Sequence, residues 1–378
     1  MNPIRQRHVS RRAVNAGLAS ALAAVAVPAI TVRAQDTSSG LGTLAAEKGL
    51  LFGASFAVHE LDRPAGARYA EIYERDARIL TSELEFKMSA LRPAADVLRF
   101  DAADRLVDFA LHREMKVRGH TLIWNDDLPE WIKRLSGSEA EQLLETHIMT
   151  VLERYQGRVD IWDVVNEPIG PWDRNPGNLR GGPFYAAMGE GYIAAAFKRA
   201  RRFAPAAKLV LNEAQTETAD ANGQAFRDSL LALLKRLKDQ GAPIDAVGIQ
   251  SHLKTSARYD FPAFAGYLGT IAELGYDIHI TELDVNDTGA PGPISARDAA
   301  VAGLYESYLG DVLKLEAVKV VQLWQLADPT SWMRDPATAT RMGIRSKARP
   351  LLYDDAFKRK PSWDAVQRAL KAAPVRST

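Results

Sequence analysis

From residue 51 onward the chain alternates between two kinds of segment. Short apolar or β-branched runs occur at Leu51 to Val58, Arg78 to Leu84, Lys116 to Trp124, Val159 to Val165, Lys208 to Leu211, Ala246 to Gln250, Asp277 to Leu283 and Val318 to Leu323. Runs of this length and composition predict strands. The stretches between them carry apolar residues at helical spacing. Asp101 to Glu114 puts Leu106, Phe109 and Ala110 on one face, with Asp101 placed to cap its start. Gly223 to Gln240 repeats leucine at 230, 233, 234 and 237, and Ser295 opens another helix with apolar residues through Leu309. Strand and helix alternating eight times in roughly 330 residues predict an α/β chain closed into a single (β/α)8 TIM barrel. The competing architecture, a doubly wound open sheet, needs a glycine-rich phosphate loop after its first strand. His59-Glu-Leu-Asp-Arg-Pro64 stands there instead.

Several runs end in a burst of polar residues. Two are centred on a glutamate: Trp162-Asp-Val-Val-Asn-Glu-Pro168 around Glu167, and Ile280-Thr-Glu-Leu-Asp284 around Glu282. As parallel strands of one barrel, both would place their carboxylates at the C-terminal face, where barrel enzymes carry out chemistry. A pair of facing carboxylates can cleave a glycosidic bond, one protonating the leaving oxygen and the other attacking or activating water. The other strand ends bring Glu83 and Lys87, His120 with Trp124 and Asn125, Asn166, Asn212 with Glu213, Gln250 with His252, Asp284, Trp324, and then Ser331 and Trp332. Each has a plainer explanation. Glu83 and Lys87 could pair on a helix, the histidines could be satisfied core groups, and the tryptophans could be core. Asn212 and Glu213 could simply shape a loop. Their collection at the ends of seven strands favours a sugar site, with rings to stack on pyranose faces and amides to grip hydroxyls.

Composition narrows the picture further. The chain has 378 residues, 47% of them hydrophobic, enough for a large core, and no linker or internal repeat divides it. The N-terminus differs. Ser10-Arg-Arg-Ala-Val-Asn15 precedes an Ala-rich apolar stretch from Ala16 to Ile30, followed by Val32-Arg-Ala34. That order reads as a signal peptide over residues 1–34, of the twin-arginine kind, with residues 35–378 as the mature catalytic domain. The apolar stretch is too short for a membrane anchor, and Pro28 interrupts it. Export to the periplasm or medium is therefore expected, with no membrane attachment after processing. Taking five leader arginines from the 48 basic residues leaves 43 against 47 acidic, a net charge of −4. Nothing in that balance favours nucleic acid. The absence of cysteine excludes disulfides and thiol catalysis, and seven scattered histidines lack metal-ligand spacing. No metal or cofactor is expected, and the protein is expected to act as a monomer on a polysaccharide or oligosaccharide.

In order along the chain come Thr81-x-Glu-x-x-x-Lys87, Val117-Arg-Gly-His-Thr-Leu-Ile-Trp124, Leu128-Pro-x-Trp131 and Trp162 to Pro168. Gly248-Ile-Gln-Ser-His-Leu253, Ile280 to Asp284, Trp324-x-x-x-Asp328-x-x-Ser-Trp332 and Pro350-Leu-Leu-Tyr-Asp354 follow. In this order the chain resembles glycoside hydrolase family 10, typically endo-β-1,4-xylanases that retain anomeric configuration. The resemblance implies that Glu167 is the acid/base and Glu282 the nucleophile, kept ionised by His252 with Asp284 behind it. It implies that Asn166 bonds a sugar 2-hydroxyl and that Glu83, Lys87, His120 and Trp124 line the non-reducing side. Gln250 would lie near the nucleophile, with Trp324 and Trp332 stacking on sugar. Two departures stand out. The family usually has Asn directly after the first Glu, where this chain has Leu84. It usually reads Trp-His-Ser-Gln-Leu-Pro, where this chain has Trp124-Asn-Asp-Asp-Leu-Pro129. Asp126 and Asp127 would add two carboxylates beside the cleavage point, repelling acidic side groups. A related glycan, such as a bacterial exopolysaccharide or short xylo-oligosaccharides, is the alternative substrate. A glycan-binding barrel without turnover is a remoter one.

Overall fold

The structure, a computed structural model, describes residues 40–376. The leader read at residues 1–34 lies outside them. Eight parallel strands form the barrel: β1 (Leu51–Phe56), β2 (Ile79–Ser82), β3 (Lys116–Gly119), β4 (Ile161–Asn166), β5 (Lys208–Glu213), β6 (Ala246–Ile249), β7 (Asp277–Asn286) and β8 (Val318–Leu323). They neighbour one another in chain order, and β8 closes the ring by pairing with β1, Val320 opposite Leu51. All eight predicted runs are strands. The third is split, because the chain leaves the sheet after Gly119 and returns as a two-residue strand, Ile123–Trp124, along upper β4. That excursion sets Trp124 opposite Asn166. A second short strand, His252–Lys254, lies along upper β7 and sets His252 opposite Asp284.

The helices follow the apolar spacing. Asp101–Leu111 buries Leu106, Val107, Phe109 and Ala110. Its cap position is Phe100, so Asp101 lies inside the first turn, where its charge meets the helix dipole without capping it. Ala221–Asp239 turns four leucines inward and is capped by Asp220, whose side chain accepts from the Gly223 N–H. Ile294–Val312 starts one residue before Ser295.

Inside the barrel, the lower layer is apolar: Leu51, Ile79, Ile161, Val210, Ala246 and Val320. Asp163, two residues beyond Ile161 on β4, forms a fully buried ion pair with Arg118 on β3. Arg118 also donates to His279 Nδ1 at 3.2 Å, and Asp163 lies 2.9 Å from His120 Nδ1. Burial pushes the Asp163 carboxyl up, but the Arg118 and His120 charges outweigh it and hold it below its usual range. An unpaired charge at this depth would cost several kcal/mol. This polar layer is the platform under the C-terminal mouth. Beside it, Gly119 makes room for the Trp162 ring, which a Cβ there would meet at 2.2 Å.

Candidate active site

A pocket of about 530 Å³ opens at the C-terminal ends of the strands. All eleven side chains predicted to touch substrate line it: Glu83, Lys87, His120, Trp124, Asn166, Glu167, Gln250, His252, Glu282, Trp324 and Trp332. Asp284, predicted as a support, is buried behind them. A larger hollow of about 640 Å³ lies at the opposite end, lined by Lys116, Lys208, Asp277 and Lys319 at the starts of their strands. Conservative barrel logic assigns that end to stability, and the paired acids place the chemistry in the smaller pocket.

Glu282 is 5% exposed and held from two sides. Asn212 Nδ2 donates to its Oε1 at 2.8 Å, and His252 Nε2 lies 3.3 Å from its Oε2. His252 Nδ1 meets Asp284 Oδ1 at 2.9 Å, and the Trp332 indole N–H donates to Asp284 Oδ2 at 2.7 Å. Burial drives the His252 imidazole down, but the Asp284 charge and the bonds to both acids overcome it and raise it well above its ordinary range. Burial likewise pushes Glu282 up, and the His252 bond with the His120 and His252 charges brings it below the usual carboxylate value. An ionised carboxylate aimed into a sugar-sized pocket is chemically able to attack an electrophilic carbon.

Glu167 sits where β4 ends, at a backbone φ of 51°, in the left-handed region. Ser251 at 66° and Gln325 at 71° turn the chain at the ends of their runs in the same way. Strained turns of this kind concentrate at functional sites. Gln250 Nε2 donates to Glu167 Oε1 at 2.8 Å, and the Trp124 indole N–H donates to Oε2 at 3.1 Å. The Arg180 guanidinium lies 3.1 Å from the same Oε2. Asn166 Oδ1 accepts from Asn212 at 2.9 Å and from Gln250 at 3.3 Å. The two glutamates are thus joined by a chain of three amides, Gln250, Asn166 and Asn212.

Asn212, open in the sequence to a loop-shaping explanation, is a central member of this chain. It fits because Gly248 on the next strand has no side chain; a Cβ there would meet Asn212 Oδ1 at 2.2 Å. Thr281 Oγ1 then donates to that oxygen at 2.7 Å and fixes the amide's orientation. Glu213 does shape a loop: its buried carboxylate accepts the N–H of Ile169 at 2.9 Å and of Ala214 at 2.8 Å. Three residues were given no role by the sequence. Asp163 and Arg118 are charges inside strands, and Arg180 lies in the Gly-rich loop after β4. Gln325 is a fourth: it donates to Glu83 Oε1 at 2.6 Å and accepts the Trp332 N–H at 3.2 Å.

On the far wall, Lys87 Nζ lies 5.0 Å from the Trp124 ring and 5.9 Å from the Trp324 ring. Burial pushes the Glu83 carboxyl up to about 7, against the Gln325 bond and the Lys87 charge. Leu84 is 42% exposed in this wall. The two added aspartates do not stand free. Asp127 accepts the Ser89 N–H at 3.2 Å and its hydroxyl at 2.6 Å, and Asp126 is ion-paired with Arg180. Asp126 is thus paired with a cation, while Asp127 is held by neutral donors and keeps its charge. Among the described residues, no group of three or more His, Asp or Glu is placed to hold a metal ion.

A closed barrel with two amide-linked glutamates among indoles at its C-terminal mouth has the make-up of a glycoside-cleaving enzyme. The sequence profile of Glycosyl hydrolase family 10 matches residues 40–369, and the chain belongs to that family. It is 33% identical to endo-1,4-beta-xylanase A of Thermoanaerobacterium saccharolyticum over 81% of this chain and 26% of that longer protein. It is 31% identical to endo-1,4-beta-xylanase B of Thermotoga neapolitana over 82% of this chain and 85% of that one. Among solved structures it resembles xylanase 10B of Thermotoga petrophila in complex with xylobiose. The TM-score is 0.80 and the identity 29%, over 89% of this chain and 98% of that one. The chain thus spans about a quarter of the first relative's length and most of the second's.

Proposed function

We propose that the protein is a retaining endo-β-1,4-xylanase that cleaves internal β-1,4 linkages by double displacement. One observation carries this: the ionised Glu282, locked by His252 and Asp284, shares a sugar-sized pocket with Glu167 through a short chain of amides. Glu282 attacks the anomeric carbon while Glu167 gives its proton to the departing oxygen. Water then releases the glycosyl-enzyme, with Glu167 taking the water's proton. Asn166, whose oxygen is fixed by Asn212 and Gln250, is oriented to meet a 2-hydroxyl. Trp324 and Trp332 offer stacking faces, and Glu83, Lys87 and His120 line the wall on the non-reducing side. The xylobiose complex of the Thermotoga petrophila enzyme supports a xylo-oligosaccharide as ligand. An NMR time course on unbranched xylo-oligosaccharides tests the reading. Fresh product with the β-anomeric proton supports it, and initial α-product excludes it.

A second reading, a related β-linked glycan as natural substrate, is favoured by Leu84. Its exposed apolar side chain occupies the cleft wall where the family usually presents an amide. The first 34 residues are proposed as a twin-arginine leader, supported by their paired arginines and by a family match that starts at residue 40. N-terminal sequencing of exported protein should begin near residue 35; retention of residue 1 would remove the proposal. No helix among the described residues is long and apolar enough to cross a membrane. A monomer is proposed for the working form, checked by light scattering.

A further inference from the structure

Arg180 makes the charged contact closest to Glu167. It ends the loop that leaves β4: Ile169 bridges Leu179, and the Arg180 N–H is taken by the Pro168 carbonyl at 2.7 Å. The loop doubles back, and the side chain returns over the strand end it set out from. Its guanidinium, only 6% exposed, has three neighbours. Nη2 lies 3.1 Å from Glu167 Oε2, Nη1 donates to Asp126 Oδ2, and the plane rests 5.0 Å from the ring centre of Trp172.

The charges facing Glu167 come from several elements. Glu282 on β7 is matched by His252. Glu213 on β5, pushed well above its usual range by burial, is held by the backbone N–H groups of Ile169 and Ala214. His120 beyond β3 is tied to Asp163, and Lys87 and Arg341 share the pocket. Arg180 is in direct contact with this carboxyl, and Asp126 meets the other end of its guanidinium.

A carboxyl beside an unopposed guanidinium favours its ionised form and is a poor proton donor. A carboxyl with no fixed partner is poorly aimed. We propose that Arg180 is the positioning residue of the Glu167 carboxyl, and that Asp126 is the counter-charge that leaves this carboxyl able to hold the proton the first step needs. The proposal rests on the acid/base reading of Glu167. In the first step the Glu282–carbon bond forms, the carbon–oxygen bond breaks, and the Glu167 proton goes to the leaving oxygen, leaving an anion beside Arg180. In the second, water attacks the anomeric carbon, its proton returns to Glu167, and Glu282 leaves as carboxylate. Arg180 aims the group in both steps, and Asp126 offsets the guanidinium charge during the first. Asp126 stands where the family usually has serine, so the device belongs to this chain's own departure from the pattern.

The test compares pH profiles of kcat/KM for D126N, R180Q and R180K on aryl β-xylobiosides with poor and good leaving groups. D126N should move the alkaline limb to lower pH by a few tenths to about one unit, since its solvent exposure screens the charge. R180Q should move the limb the other way and cost roughly tenfold or more on the poor leaving group, with a smaller loss on the good one. R180K should restore part of that loss. Unshifted limbs in folded D126N and R180Q, or shifts in the same direction, would overturn the proposal. Asp126 is 56% exposed, so D126N keeps the test open even if R180Q does not fold. E167A separates the two claims. If it loses both leaving groups equally, the acid/base reading fails. If it spares the good one while the limbs of D126N and R180Q stay fixed, only the present proposal fails.

Discussion

Glu282 stands on β7 with its support drawn from neighbouring strands: Asn212 at the end of β5, His252 after β6, and Asp284 two residues along its own strand. Glu167 stands at the end of β4 with much of its support drawn from loops. Trp124 comes from the excursion after β3, and Arg180 from the loop that follows Glu167 itself. The contrast fits the roles proposed for the two groups, Glu282 as nucleophile and Glu167 as acid/base. A nucleophile keeps one charge state until it attacks, and a rigid strand-borne triad suits that. An acid that later serves as base must change charge twice, and loop-borne partners can be altered without disturbing the barrel. The chain's departures from its family, Leu84 and Asn125-Asp126-Asp127, all fall in the segments after strands, and among the described residues none of them is hydrogen-bonded to Glu282, His252, Asn212 or Asp284.

The sharpest way to break this contrast is to remove each carboxylate. E282A should abolish turnover on every substrate, a loss on the order of 10⁴-fold or more. E167A should spare good leaving groups in the first step, with azide restoring product release; equal losses in both variants would erase the distinction. G248A should come next. Its methyl group would push Asn212 off Glu282, lowering kcat on the order of 10- to 100-fold while KM moves little. Unchanged kcat in that variant would show that the strand-side amide is dispensable.

L84N tests the loop side. An amide facing the cleft should raise xylan kcat/KM several-fold, corresponding to about 1 kcal/mol or more; no gain removes Leu84 from specificity. The smallest effect is one of stability. The Glu83 carboxyl shifts from its usual 4.5 to about 7 in the fold, mainly through burial. A raised acid leaves the fold unpenalised below its unfolded value and weakens it progressively until pH passes the folded value. E83Q should therefore raise Tm by a few degrees at pH 8 and change it little at pH 4, at the expense of sugar binding. The same change at both pH values would contradict the shift.

The barrel was legible because strands buried on both faces read as uninterrupted apolar runs, and because the polar residues needed at the mouth mark where each run stops. The same feature hid the polar layer below. Arg118 and Asp163 each look like a single charge breaking a strand, and only the register, with Arg118 opposite Ile161 on β4, brings them together. Asn212 was visible but ambiguous, since its contact with Glu282 depends on space left by a glycine on a third strand. Arg180 was invisible for another reason: a loop with little periodicity shows no sign that it doubles back over its own start. Asp126 and Asp127 were visible, but the sequence does not show that Asp126 meets the Arg180 guanidinium.

The most direct measurement is a trapping experiment. The protein would be incubated with a 2-deoxy-2-fluoro-β-xylobioside bearing a good leaving group, which forms the covalent intermediate readily and releases it slowly. Peptide mass spectrometry would then locate the bound sugar. A label on Glu282, absent in E282A and still formed in E167A, is the expected result. A label on Glu167, or inactivation without any sugar on the peptide spanning Asp277 to Asn286, would contradict the division of roles between the strand-held and the loop-held glutamate.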